Sequence, residues 1–163
     1  MKTLYLVRHA KSSWEDYSKE DYQRELLLKG VKRTEKVARY LKDKEVYPDV
    51  IISSHAVRAF ETARILAETL GYPLNKILLD ESMYFSGADA MYNILSGVDD
   101  TKNSVMLVGH NPDMTGFANQ FLEQKLDYMP TSAVVAVKFQ TTRWHEIMLA
   151  SREVDFTLIP KNL

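Results

Sequence analysis

Four short apolar runs punctuate the chain, at residues 3–7, 50–52, 105–108 and 133–139. They are rich in Val, Ile, Leu and aromatic side chains, and several are nearly continuous rather than alternating. Continuous runs of this length predict strands covered on both faces, as in a parallel-type sheet under helices. Residues 146–150 predict a weaker fifth strand, with Thr142-Arg143 turning the chain into an antiparallel hairpin at one edge.

Helical patterns lie between the runs. Over residues 28–44, Leu28, Val31, Ala38 and Leu41 fall near one face, with Lys and Glu opposite. Residues 56–70 repeat the pattern through Ala59, Ala63, Leu66 and Leu70, then meet Gly71 as a C-terminal stop and Pro73 beyond it. Asn111-Pro112 reads as an N-cap followed by Pro at the first helical position, opening a helix to about residue 124. Residues 88–95 form a shorter candidate. Strands alternating with helices predict an α/β sandwich.

Composition narrows the chemistry. The chain has 163 residues, enough for one compact domain over residues 1–163. Twenty-one Lys and Arg against 22 Asp and Glu leave a net charge of −1, so a general nucleic-acid binder is disfavoured. There is no Cys, which removes disulfides, thiolate catalysis and Cys-ligated metals. No apolar run approaches the ~20 residues of a membrane span, and the first is stopped by Arg8-His9, too short for a signal-peptide core. A cytoplasmic monomer without membrane attachment is the expectation.

In α/β folds, ligands sit where strands end and helices begin. Three predicted strand ends carry reactive groups: Arg8-His9, Ser53-Ser54-His55 with Arg58 following, and Gly109-His110-Asn111. Each taken alone has an ordinary reading: polar residues at a surface strand end, a solvated helical Arg, a core His bonded to a carbonyl. Gly109 would allow close approach of a ligand to the backbone. Together they gather two Arg and two His at one sheet edge. That set suits phosphoryl transfer to a neutral imidazole, with cations around the phosphoryl oxygens. First-row metal sites do not favour two Arg among their neighbours. His55 belongs at the pocket rim, and His145 and Arg64 at the surface.

The segment Leu4-Tyr5-Leu6-Val7-Arg8-His9-Ala10-Lys11-Ser12-Ser13-Trp14 resembles the signature of the histidine phosphatase superfamily, which includes the cofactor-dependent phosphoglycerate mutases. Its small SixA-type branch, the phosphohistidine phosphatases, is the nearer likeness. Ser53-Ser54-His55-Ala56-Val57-Arg58-Ala59 with Thr62-Ala63 resembles the second family block, and Val108-Gly109-His110-Asn111-Pro112 the third. Arg24, Leu26 and Gly30, and then Pro130-Thr131-Ser132, match further SixA-like positions. The blocks keep the family's order across most of the chain.

The resemblance implies a phosphoglycerate mutase-like three-layer α/β/α sandwich with a mostly parallel mixed sheet. It implies a hydrolase with His9 as nucleophile, Arg8, Arg58 and His110 holding the phosphoryl group, Ser12 as a further contact, and no metal or cofactor. Two departures stand out. Ala10 replaces the Gly that commonly follows the nucleophile, and Glu15 stands where the mutases often have Asn. Glu81, with Asp80 as a fallback, is the candidate general acid by its spacing before Tyr84. The implied substrate is a phosphorylated protein, such as a His-containing phosphotransfer domain, or else a small phosphorylated metabolite. A non-catalytic phosphate-binding module is the remaining alternative.

Overall fold

The computed structural model of the chain describes residues 1–13 and 20–163. Trp14 and Glu15, both singled out by the sequence, lie outside the described residues. The strands are β1 (Lys2–Arg8), β2 (Val50–Ser53), β3 (Leu78–Leu79), β4 (Ser104–Gly109), β5 (Val134–Phe139) and β6 (Arg152–Leu158). The α-helices are α1 (Leu28–Asp43), α2 (Val57–Leu70), α3 (Ala88–Ser96) and α4 (Asp113–Asn119). The sheet runs β3-β2-β4-β1-β5-β6. β3, β2, β4 and β1 are mutually parallel, and β5 is antiparallel to both β1 and β6.

The continuous apolar strands are buried on both faces, as their composition demands. Leu4 and Leu6 point into one core with α3 and α4, including Leu95, Met114 and Phe117. Tyr5 and Val7 point into the other with α1 and α2, including Val37, Leu41, Ala63 and Leu66. Layers of helix, sheet and helix result. The parallel pairing Arg8↔Gly109 and Ser53↔Val108 brings the C-terminal ends of β1, β2 and β4 level, so the residues after each strand share one edge.

Several element boundaries differ from the sequence reading. Residues 146–150 are not a strand. Trp144–Glu146 form a 3-10 turn that buries Trp144 and Ile147, with the Trp144 indole donating to the Lys102 carbonyl at 2.8 Å. The edge strand comes later, at Arg152–Leu158, still antiparallel to β5. In α1 the buried face is Gly30, Thr34, Val37, Ala38 and Leu41, whereas Leu28 is 68% exposed. The polar Thr34 takes an inward position because its hydroxyl bonds the Gly30 carbonyl and Ser132 Oγ, both at 2.8 Å. Gly71 ends α2 in the left-handed region at φ 74°, as predicted. Helix α4 starts at Asp113, yet Asn111 still caps it: its Oδ1 accepts from the Thr115 amide at 3.3 Å and hydroxyl at 2.7 Å. The helix stops at Asn119 because that side chain bonds the Leu126 backbone in both directions and folds the chain back. Among the described residues, no helix is long and apolar enough to cross a membrane.

Candidate active site

Arg8, His9, Arg58 and His110, gathered from three separate chain segments, line one cavity of about 390 Å³ with Lys11, Ser12, Asp21, Arg24, Phe85, Asn111 and Thr131. Backbone and hydroxyl groups fix the loop after β1. The Ser132 amide bonds the carbonyls of Arg8 and His9 at 3.1 and 3.2 Å. Ser132 does so from a positive φ of 62°, unusual for a residue with a Cβ. The Ala10 amide donates to Thr62 Oγ1 at 2.9 Å, and that hydroxyl donates to the Arg58 carbonyl at 2.7 Å. Thr62 thus ties the His9 loop to the first turns of α2. Ala10 itself is fully buried.

A hydrogen bond to a carbonyl defines the tautomer of His9. His9 Nδ1 lies 2.7 Å from the Ala10 carbonyl oxygen. A carbonyl only accepts, so Nδ1 carries the proton and the neutral ring keeps its lone pair on Nε2. Burial first, then the charges of Arg58, Arg8 and Arg24, push the His9 pKa down to about 3, against a raising contribution from the Ala10 carbonyl. His110 stands beside it, ring centroids 5.2 Å apart, with Nε2 2.8 Å from Ser54 Oγ and Nδ1 buried without a partner. Its pKa is also pushed to about 3, by burial and then by His9 and Arg58. Both imidazoles are neutral at pH 7.

Arg58 is buried to 1% exposure at the start of α2. Its Nη1 donates to the Asp21 carbonyl at 2.7 Å and its Nη2 to Asp21 Oδ2 at 3.0 Å, while its Nε has no partner. Arg8 Nη1 donates to the Met129 carbonyl at 3.0 Å, which also accepts from Asn111 Nδ2 at 2.9 Å. Asp21 was not legible as a site residue. Its carboxylate receives Arg58, Arg24 Nε at 3.1 Å and the Tyr84 hydroxyl. Burial would raise its pKa, but the Tyr84 bond and the two guanidiniums outweigh burial and hold it below the usual carboxylate range. The only foreshadowing was an acid three residues before Arg24.

Aromatic rings form one wall. Tyr84 and Phe85 stand 5.4 and 5.0 Å from the His110 ring, and Phe85 sits at φ 56°. His55 packs between Tyr22 and Tyr84 at the rim and does not line the cavity. Ser12 lines it and bridges Leu26. Glu81, by contrast, is exposed on the 3-10 turn Glu81–Met83, whose inward residue is Met83, and it is not among the cavity residues. Asp80 caps that turn, accepting from the Ser82 amide at 2.9 Å. Gly109 makes room for methionines rather than a ligand: a Cβ there would stand 3.1 and 3.3 Å from the terminal methyls of Met114 and Met83. Arg64 pairs on the surface with Glu61 and Glu68, and His145 is exposed. Among the described residues, no group of three His, Asp or Glu is arranged to hold a metal.

Residues 4–81 match the family model of the histidine phosphatase superfamily (branch 1). Among curated proteins, the chain is 28% identical over 158 residues to an uncharacterized chloroplastic protein of Arabidopsis thaliana, covering 92% of this chain and 72% of that one. It is 36% identical over 81 residues to phosphoglycerate mutase 1 of Saccharomyces cerevisiae, covering 47% of this chain and 33% of the mutase. Among solved structures, a SixA protein of Agrobacterium tumefaciens superposes with TM-score 0.82 at 24% identity, over 96% of this chain and 97% of that one. A protein histidine phosphatase SixA complexed with tungstate gives TM-score 0.82 at 17% identity, covering 98% of each chain. A mycobacterial glucosyl-3-phosphoglycerate phosphatase gives 0.68 at 17% identity, over 95% of this chain and 97% of that one. The fold is therefore the phosphoglycerate mutase-like one, and the family match supports phosphatase activity. Residues 4–81, just under half of the chain, thus match the histidine phosphatase superfamily, and the whole chain has the fold of the SixA structures.

Proposed function

We propose that the whole chain acts as one phosphatase domain that transfers a phosphoryl group to His9 Nε2 and hydrolyses it, with phosphohistidine in a protein as substrate. The bond from His9 Nδ1 to the Ala10 carbonyl carries this reading, because it leaves Nε2 as a fixed, unprotonated nucleophile among cations. In the first step the Nε2 lone pair forms a bond to phosphorus and the bond from phosphorus to the leaving group breaks. In the second, water attacks phosphorus, the P–N bond breaks, and inorganic phosphate leaves with His9 neutral again.

Arg8, Arg58 and the unpartnered Nδ1 of His110 take the phosphoryl oxygens, with Ser12 adding a hydroxyl. Each charge-assisted hydrogen bond contributes about 1.5–3 kcal/mol, and these side chains supply the positive charge without a metal. The leaving group favours a phosphoramidate. Asp21, the one carboxylate lining the cavity among the described residues, is held ionised and is a poor proton donor, and Glu81 faces outward. A leaving imidazole depends less on an acid than an alkoxide does. That a SixA protein of the same fold is complexed with tungstate, an oxyanion, supports anion binding here.

A small phosphorylated metabolite is the second reading, favoured by the glucosyl-3-phosphoglycerate phosphatase among the similar folds. Steady-state turnover of an aryl phosphate, with and without EDTA, tests the chemistry. Full activity in EDTA and none in His9→Ala are expected, and an active His9→Ala refutes the mechanism. Comparing kcat/KM for a phosphohistidine-bearing phosphotransfer protein with a metabolite panel tests the substrate. Preference for a metabolite refutes the protein reading.

A further inference from the structure

The catalytic cavity does not end at its own wall. It shares Arg8, Lys11 and Thr131 with a neighbouring cavity of about 620 Å³ that also takes Arg33 and Lys161. That one shares Arg33 and Lys161 with a third, about 270 Å³, lined further by Lys29, Lys32 and Lys36. Lys29, Lys32, Arg33 and Lys36 follow i, i+3, i+4, i+7 spacing, so they form one stripe about 10 Å long on α1. A continuous cationic track therefore leads away from the phosphoryl site.

The track is unbalanced. Arg64 with Glu61 and Glu68, and Lys138 with Asp155, are surface cations that do find carboxylates. Among the described residues, none of Lys11, Lys29, Lys32, Arg33, Lys36 and Lys161 makes an ion pair. Among the described residues, Asp127 is the one acidic side chain lining the three cavities beyond Asp21. The ammonium of Lys29 beside Lys11, with Arg33 behind it, draws the Lys11 pKa below its usual value. A chain of net charge −1 has no general need of such a cluster. Its extent beyond the site exceeds what one small phosphorylated molecule would cover.

We propose that this stripe is the docking surface for the acidic face of the protein that carries the phosphohistidine. The proposal rests on the phosphoprotein reading above and specifies its recognition. Electrostatic docking of this kind raises association rate and specificity, and salt screens it.

The test compares wild type with K32E/R33E/K36E, and with K32Q/R33Q/K36Q as a milder variant. The probes are an acidic phosphotransfer domain phosphorylated on His and p-nitrophenyl phosphate. At about 50 mM salt the charge reversal should lower kcat/KM for the phosphoprotein about tenfold or more, with the Gln variant between, and the gap should close near about 500 mM. Turnover of p-nitrophenyl phosphate should stay within about twofold. An unchanged phosphoprotein rate, or an equal loss on both probes, overturns the docking surface while leaving the phosphoprotein reading intact. A wild type that hydrolyses the aryl phosphate but not the phosphoprotein overturns that reading, and the docking surface with it.

Discussion

Gly30 lies in the first turn of α1, and the loop that follows His9 runs directly over it. A Cβ at this position would stand 2.5 Å from the Lys11 carbonyl oxygen and 3.0 Å from the Lys11 nitrogen, where ordinary contact begins at 3.4 Å. Both are backbone atoms, so no side chain can swing aside. The loop is also pinned, by Leu27 N–H to the Lys11 carbonyl at 2.9 Å and Ser13 N–H to the Glu25 carbonyl at 2.8 Å. Gly30→Ala gains about 1 kcal/mol of helix propensity. Against that, relieving the clash moves the loop by roughly 1 Å and loosens both hydrogen bonds, each costing about 1–1.5 kcal/mol when lost. The balance is a loss of about 1–2 kcal/mol, or a Tm lower by roughly 3–6 °C for a chain of this length. Lys11 and Ser12 ride on the displaced loop and line the cavity. A shift of that size lowers kcat/KM for an aryl phosphate about 10- to 100-fold. Thermal unfolding and steady-state kinetics on the same preparation check both parts. A variant about 1 kcal/mol more stable with unchanged kcat/KM, as helix propensity alone predicts, refutes the close approach.

Acid should unfold the protein early. His9 and His110 are held near pKa 3 in the native state against 6.5 unfolded, so between these values the unfolded chain takes up protons that the native state refuses. Their contribution is complete above pH 6.5 and is lost on acidification at up to about 1.4 kcal/mol per pH unit for each ring; urea midpoints that stay flat from pH 6.5 to 5 contradict it. Asp21→Asn removes a carboxylate that competes with phosphate for Arg58, so the inhibition constant for inorganic phosphate should fall several-fold; weaker phosphate binding refutes that competition. Glu81→Gln should leave aryl phosphate turnover within about twofold, since its side chain faces solvent outside the cavity. A loss of about 100-fold would identify Glu81 as the acid.

The four polar groups at strand ends were legible because the apolar runs before them are short and continuous. Once residues 3–7, 50–52 and 105–108 are read as parallel strands, Arg8, Arg58 and His110 must meet at one edge. The edge strand was harder to place. In Arg152–Leu158, Val154, Phe156 and Leu158 alternate with charged and polar residues, a weaker signal than the compact run at 146–150. In that run only Ile147 is buried, while Leu149 is 94% exposed. Thr34 could not be read as a core residue because its hydroxyl is satisfied by Ser132, 98 positions away. Asp21 stayed hidden for a similar reason. Its role comes from Arg58 and Tyr84, distant partners that only the folded chain brings to it.

Thr62 and Ser132 hold the loop at His9 from two sides, one from α2 and one from just before β5. These bonds tie the His9–Ala10 backbone to elements outside the loop. The Ala10 amide reaches solvent only when α2 lets go, and the Ser132 amide only when the ends of β1 and β5 separate. Hydrogen exchange at both amides then reports the opening of the sheet-and-helix unit rather than local fraying. Release of the His9–Ala10 backbone is thereby coupled to opening of the sheet edge and of α2.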